Sequence, residues 1–238
     1  CSWIYTTYQS RVQFKNGVIG VVASRVRPEN LEGKFTNLYV DIGLSSKEEV
    51  LKYVDIGDTA IYMGSYAELP GNHIVAKAID DRVGCYMMME TLMQQQQAYN
   101  DVYYVFSVQE EVGCRGSKAA ANAIQPTYGI ACDVTVAYDY PGASGGAVSI
   151  GGGAAIKVKD SSVVCSQLIV NGLTKLADDA KIKYQYEVLT AGGTDTSSMQ
   201  VAGAGRYAGC VSIPLRYVHT PIETLDKADL DACVPLIR

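Results

Sequence analysis

Six side chains able to hold a metal or move a proton stand where strand-like runs end. Asp80 and Asp81 follow HIVAKAI, Glu110 and Glu111 follow VYYVFSV, Asp133 lies in YGIACDVTV, and His219 follows the apolar run from Cys210 to Leu215. Carboxylate oxygens suit hard divalent cations, and zinc or cobalt also accept an imidazole. One bridging carboxylate with a terminal acid on each side can hold two ions roughly 3.5–4 Å apart. Two acids directly after so apolar a run crowd like charges at a core edge, a cost that a cation offsets. Each piece has a plainer reading. An acid pair usually starts a solvated helix, and an isolated histidine usually sits on the surface or is satisfied in a core. Recurrence at successive strand ends is what favours a metal cluster.

The elements that must position these residues change character along the chain. Residues 11–70 read as all-β: RVQF, VIGVVAS, LYVDIG and TAIYM are separated by turn signals such as Asn16-Gly17 and Pro28-Glu29-Asn30. A short helix over 46–53 opens on a capping box at Ser46 and Glu49. This part resembles a small barrel or sandwich. From about residue 73 strands and helices alternate. Strands are expected at 73–79, 102–108, 128–136, 183–189 and 210–213, and helices at 82–97, 117–123, 162–180 and 196–202. A last helix is capped by Asp226. The alternation predicts an α/β fold, a three-layer domain with a mostly parallel central sheet, in which ligands gather at the carboxyl ends of strands. The expected division is a β domain over 1–71 and a catalytic domain over 72–238.

Five ordered segments carry a resemblance to a known family: KAIDDRVG (77–84), VQEEVGCRGS (108–117), ACDVTVAYDYPG (131–142), AGGTDTSS (191–198) and RYVHTPIE (216–223). The chain resembles the dinuclear metallo-aminopeptidases that form tetrahedral shells, the glutamyl or deblocking aminopeptidases. The resemblance implies that Asp80 bridges two zinc or cobalt ions and that the Asp80–Asp81 peptide is cis. It implies that Glu111 and His219 complete one metal site and Asp133 belongs to the other. Glu110 is then the general base, taking a proton from metal-bound water and handing it to the leaving amine. Asp81, Gly193 and Asp195 are implied as supporting residues. The substrates implied are short peptides, and the implied assembly is a homo-oligomer in which dimers build a dodecamer through the β domain.

The family's further metal-binding histidine, from an HxD motif upstream of the β domain, has no counterpart here. The two histidines are His73, read as structural, and His219. The chain therefore reads as a fragment that lacks the first part of the catalytic domain and stops within its last helix. A complete protein of this sequence would hold its second metal weakly, and could act only as an assembly subunit.

Other readings are weaker. GASGG (142–146) fits G-x-S-x-G, with Ser144, Asp195 and His219 in the order of a serine-hydrolase triad, but the glycine-rich, β-like AVSIGGGAAIKV replaces the helix that a nucleophile elbow needs. GAGRYA (203–208) resembles a dinucleotide fingerprint in the wrong setting, between a helix and a strand. Net charge of −5 over 238 residues argues against nucleic acid. No apolar run nears the roughly 18 residues that would span a membrane. Seven scattered cysteines without a CxxC pair suit free thiols in a reducing cytoplasm.

Overall fold

In a computed structural model of the protein, residues 4–95 and 98–238 are described. The chain divides into two compact units. The first comprises residues 1–67, 75–78 and 219–223, and the second residues 68–74, 79–218 and 224–238. The expected boundary at residue 71 thus falls inside a stretch, Glu68–Ile74, that belongs to the second unit.

The first unit holds helix α1 (Ile4–Thr7), strands β1 (Arg11–Phe14), β2 (Ile19–Ser24) and β3 (Leu38–Asp41), helix α2 (Lys47–Val50) and strand β4 (Ala60–Tyr62). The strands form one antiparallel sheet in the order β3-β2-β1-β4. The sequence suggested a barrel or sandwich; the described strands form an open sheet with β3 and β4 at its edges. The Asn16-Gly17 signal is the β1–β2 turn, with Gly17 at φ +92° and its N–H donating to Phe14 O at 2.9 Å. Ser46 caps α2, accepting from the Glu49 N–H at 3.2 Å.

The second unit carries most of strand β5 (Ala67–Leu69) and half of β6 (His73–Ala76), then helices α3 (Ile79–Gln94) and α4 (Arg115–Ile124), strands β7 (Tyr128–Val136) and β8 (Ala154–Lys159), helix α5 (Gln167–Ala180), strand β9 (Tyr184–Val188), helix α6 (Asp195–Gln200), strand β10 (Tyr207–Leu215), all but the first residue of strand β11 (Glu223–Asp226), and helix α7 (Lys227–Ile237). Its main sheet has the order β7-β10-β8-β9. The β10–β7 and β8–β9 pairings are parallel and β10–β8 is antiparallel. Helices α3, α5, α6 and α7 pack on this sheet. β10 is buried along all but its first residue, as its near-continuous run of small and apolar side chains requires. Beneath it Lys157 of β8 pairs with Glu187 of β9 and lies 3.4 Å from Asp160, all three buried. Asp226 caps α7 by accepting from the Ala228 N–H at 2.9 Å.

Two expectations need correction. The run Val102–Val108 forms no strand. It is as apolar as a buried strand, but a strand exists only by pairing, and the backbone groups of residues 102–107 have no backbone partner among the described residues. Val102 and Val108 are 51% and 67% exposed. The helix expected from residue 162 starts at Gln167 instead. The Asp160 carboxylate captures the N–H groups of Ser162 and Val163, and Val164 bridges Lys159, so local side-chain bonding outcompetes the helix there. The helix expected over 82–97 begins as foreseen, but its last two residues lie outside the described ones.

Candidate metal centre

Asp80 and Asp81 sit at the head of α3, joined by a cis peptide as expected. Both leave helical geometry (ψ 113° and 50°), so the regular helix begins at Arg82. Asp81 acts as its N-cap, accepting from the Gly84 N–H at 3.1 Å. Gly84 leaves room for that cap: a Cβ there would make the Asp81 carboxylate shift. DDRVG thus encodes a helix start whose cap folds back and leaves Asp80 directed elsewhere.

Glu110 and Glu111 lie on a tight loop before α4, not at a strand end. The loop closes on itself: Gly113 and Cys114 N–H groups donate to Glu110 O at 2.9 and 2.8 Å, Arg115 N–H to Gln109 O at 3.2 Å, and Gly116 N–H to Val108 O at 2.9 Å. Gln109 (φ +60°) and Cys114 (φ +50°) adopt the left-handed conformation that this path demands. Gly116 allows the stems to touch, since a Cβ would come within 2.5 Å of the Val108 nitrogen. Glu110 is half-buried and Glu111 exposed. The Cys114 thiol donates to Glu110 Oε1 at 3.3 Å.

Asp133 lies inside β7 rather than at its end, opposite Ser212 of β10. Its Oδ1 accepts from the Val134 N–H at 2.7 Å. His219 belongs to the first unit. It has φ +63°, and its backbone N–H donates to Glu223 Oε1 at 2.8 Å, tying down the turn that carries the imidazole.

Two acidic constellations emerge. Asp80, Asp81 and Asp133 each offer an oxygen within 4.8 Å of the others, and Glu111 offers one equally close to Asp80. Glu110, Cys114 and Asp195 form a second set. Burial, then the neighbouring Asp80, pushes the Asp81 carboxyl up to about 8. Burial, then Asp81 and Asp80, holds Asp133 well above the usual carboxylate range. Glu110 is raised by burial, an effect that the Cys114 hydrogen bond opposes. Carboxylates placed this close repel one another unless protonated or neutralised by a cation. An all-oxygen donor set of this kind fits a hard divalent ion.

The serine-hydrolase alternative finds no support. Ser144 is exposed in an irregular turn with no helix after it. The Asp195 carboxylate is engaged by Ser107 and Ser117. Gly193 is exposed in the loop before α6, where a Cβ would come within 2.8 Å of Ser162 Oγ. Sequence reasoning missed Gly84, Ser107, Cys114 and Ser117. Their only linear signals were the i,i+3 spacing of Asp81 and Gly84 and the i,i+4 spacing of Glu110 and Cys114.

The family model for M42 glutamyl aminopeptidase matches residues 3–236. A putative aminopeptidase of Acetivibrio thermocellus is 42% identical over 234 residues, covering 98% of this chain and 71% of that protein. The putative aminopeptidase FrvX of Escherichia coli is 34% identical over 228 residues, 93% of this chain but only 64% of its own length. Among solved structures, the TET1 peptidase of Pyrococcus horikoshii, described as able to assemble into a tetrahedron or a large octahedral shell, matches with a TM-score of 0.84 at 29% identity. That match covers 100% of this chain and 73% of the other.

Proposed function

We propose that this chain, which belongs to the M42 glutamyl aminopeptidase family, is the catalytic core of a metal-dependent enzyme that removes N-terminal residues from short peptides. The observation that carries the reading is the convergence of Asp80, Asp81, Asp133 and Glu111, beside a half-buried Glu110 that accepts a thiol hydrogen bond. Asp80 is assigned as the bridging ligand because it neighbours both Asp133 and Glu111. Glu111 and His219 would complete one site and Asp133 would serve the other, with zinc or cobalt suiting the donors. Bound divalent ions would supply Lewis-acid polarisation of the scissile carbonyl and of the attacking water. Glu110 would take the proton of the attacking water and return it to the departing amine. Its position on a self-closed loop keeps its carboxylate beside the acid cluster instead of within it.

The first unit is proposed as the surface for self-assembly into dimers and then a dodecamer. It exposes Ile19, Val21, Tyr39, Val40, Ile56 and Ile61, with Ile56 90% exposed. Contiguous exposed apolar groups mark interaction surfaces, and the similar Pyrococcus horikoshii peptidase is described as able to assemble into a tetrahedron or a large octahedral shell. No described helix is long and apolar enough to cross a membrane. The six described cysteines are free, which fits the proposed cytoplasmic setting.

The functional test is release of a free amino acid from tri- and tetrapeptides. Peptides with a free amino terminus should be cleaved one residue at a time. The same peptides acetylated at the N-terminus should resist, and equal cleavage of both would overturn the aminopeptidase reading.

Metal uptake should also depend on pH. The folded Asp81 holds its proton to about 8 against 3.8 unfolded. At this group the metal-free fold therefore binds more protons than the unfolded chain between those values, and the contribution of Asp81 to stability falls as pH rises from about 4 to about 8. A divalent ion held beside Asp80 favours the ionised form of Asp81, so binding should release that proton and affinity should weaken as pH drops below about 8. Calorimetry in two buffers of different ionisation enthalpy should record proton release at pH 7 and less at pH 9. Identical affinity and no proton release at both would remove Asp81 from the centre.

A further inference from the structure

The loop that carries Glu110 and Glu111 has its two stems held by one carboxylate. Ser107, three residues before Glu110, donates its hydroxyl to Asp195 Oδ2 at 2.6 Å. Ser117, in the first turn of α4, donates to Asp195 Oδ1, also at 2.6 Å. Ser117 Oγ also lies 3.1 Å from Cys114 O, but its single proton favours the shorter bond to a charged acceptor. Asp195 is itself fixed as the first residue of α6. Thr194 caps that helix, and Ser198 Oγ lies 2.9 Å from Asp195 O and 2.6 Å from Ser117 Oγ. Both groups that the carboxylate binds are hydroxyl donors. An ionised acid accepts from both, whereas an amide would turn a donor toward one of them.

We propose that Asp195 is a positioning residue for the reaction, clamping Ser107 and Ser117 so that the loop between them points Glu110 and Glu111 in fixed directions. It touches neither substrate nor metal in this role. The proposal rests on the assignment of Glu110 as the base, and its test does not depend on turnover alone. Gly116 supports the clamp by letting the Val108 and Gly116 backbones meet inside it.

The experiment is hydrogen exchange on the full chain carrying Asp195→Ala, Asp195→Asn or the Ser107→Ala/Ser117→Ala pair, alongside kcat and KM on a tripeptide. The amides of Gly113, Cys114, Arg115 and Gly116, all bonded within the loop, should exchange at least about tenfold faster. The amides of β7 and α5 should be unchanged. kcat should fall roughly 10- to 100-fold while KM stays within about twofold, since misplacement of a catalytic group by about 1 Å has effects of that order. The serine pair should reproduce the Asp195→Ala loss and add little to it. Unchanged loop exchange in a folded Asp195→Ala chain would overturn the clamp, as would a general speed-up of exchange across the second unit. Should Asp195→Ala fail to fold, the serine pair carries the same two outcomes. Full turnover in Glu110→Gln would instead sink the base assignment and leave the exchange result standing.

Discussion

Glu110→Gln is expected to abolish turnover while metal content stays at the wild-type value. The substitution keeps the shape of the side chain and an oxygen able to accept from the Cys114 thiol, so the loop closed by Gly113, Cys114 and Gly116 has no reason to move. What it removes is the ability to accept a proton. General-base catalysis contributes about 10²–10⁴-fold, and a loss of at least that size in kcat should appear with little change in KM. The neighbouring Glu111 cannot substitute, because it is proposed as a ligand whose oxygen lies within 4.8 Å of Asp80. Simultaneous loss of metal in the variant would make Glu110 a ligand, and unimpaired turnover would place the base elsewhere.

The second large effect belongs to Asp80. It is the carboxylate close to both Asp133 and Glu111, hence the residue whose loss should empty both positions at once. Asp80→Ala is expected to bring bound metal to none at concentrations where the unsubstituted chain is loaded, measured by elemental mass spectrometry after equilibrium dialysis against zinc or cobalt. His219→Ala and Asp133→Asn should each retain one ion. The cause is electrostatic as much as geometric. Without a bridging charge two divalent ions roughly 3.5–4 Å apart repel strongly. Equal losses in all three variants would replace the bridging role by a single shared site.

Much of the fold was legible in the sequence. β7 spans Tyr128–Val136, as the apolar pattern indicated, and the Asn16-Gly17 turn and the Asp226 cap lie where turn and cap chemistry put them. Signals of this kind are local and survive in one dimension. Val102–Val108 shows the limit: its composition asked for a strand, but pairing is a property of neighbours and not of the run itself. The candidate site divides in the same way. Residue type and order made Asp80, Glu110, Glu111, Asp133 and His219 visible. The grip of Asp195 on Ser107 and Ser117 spans 88 and 78 residues and left no linear trace. The close approach of the Asp81 carboxylate to Gly84 left only the i,i+3 spacing of the two residues.

The central claim is that hydrolysis here depends on metal held by the acids around Asp80. The most direct measurement follows amino-acid release from a free tripeptide before and after removal of divalent ions by a chelator, then after zinc or cobalt is returned. The account predicts loss of release on chelation and recovery on metal addition. Release that survives chelation and disappears in Ser144→Ala would contradict it.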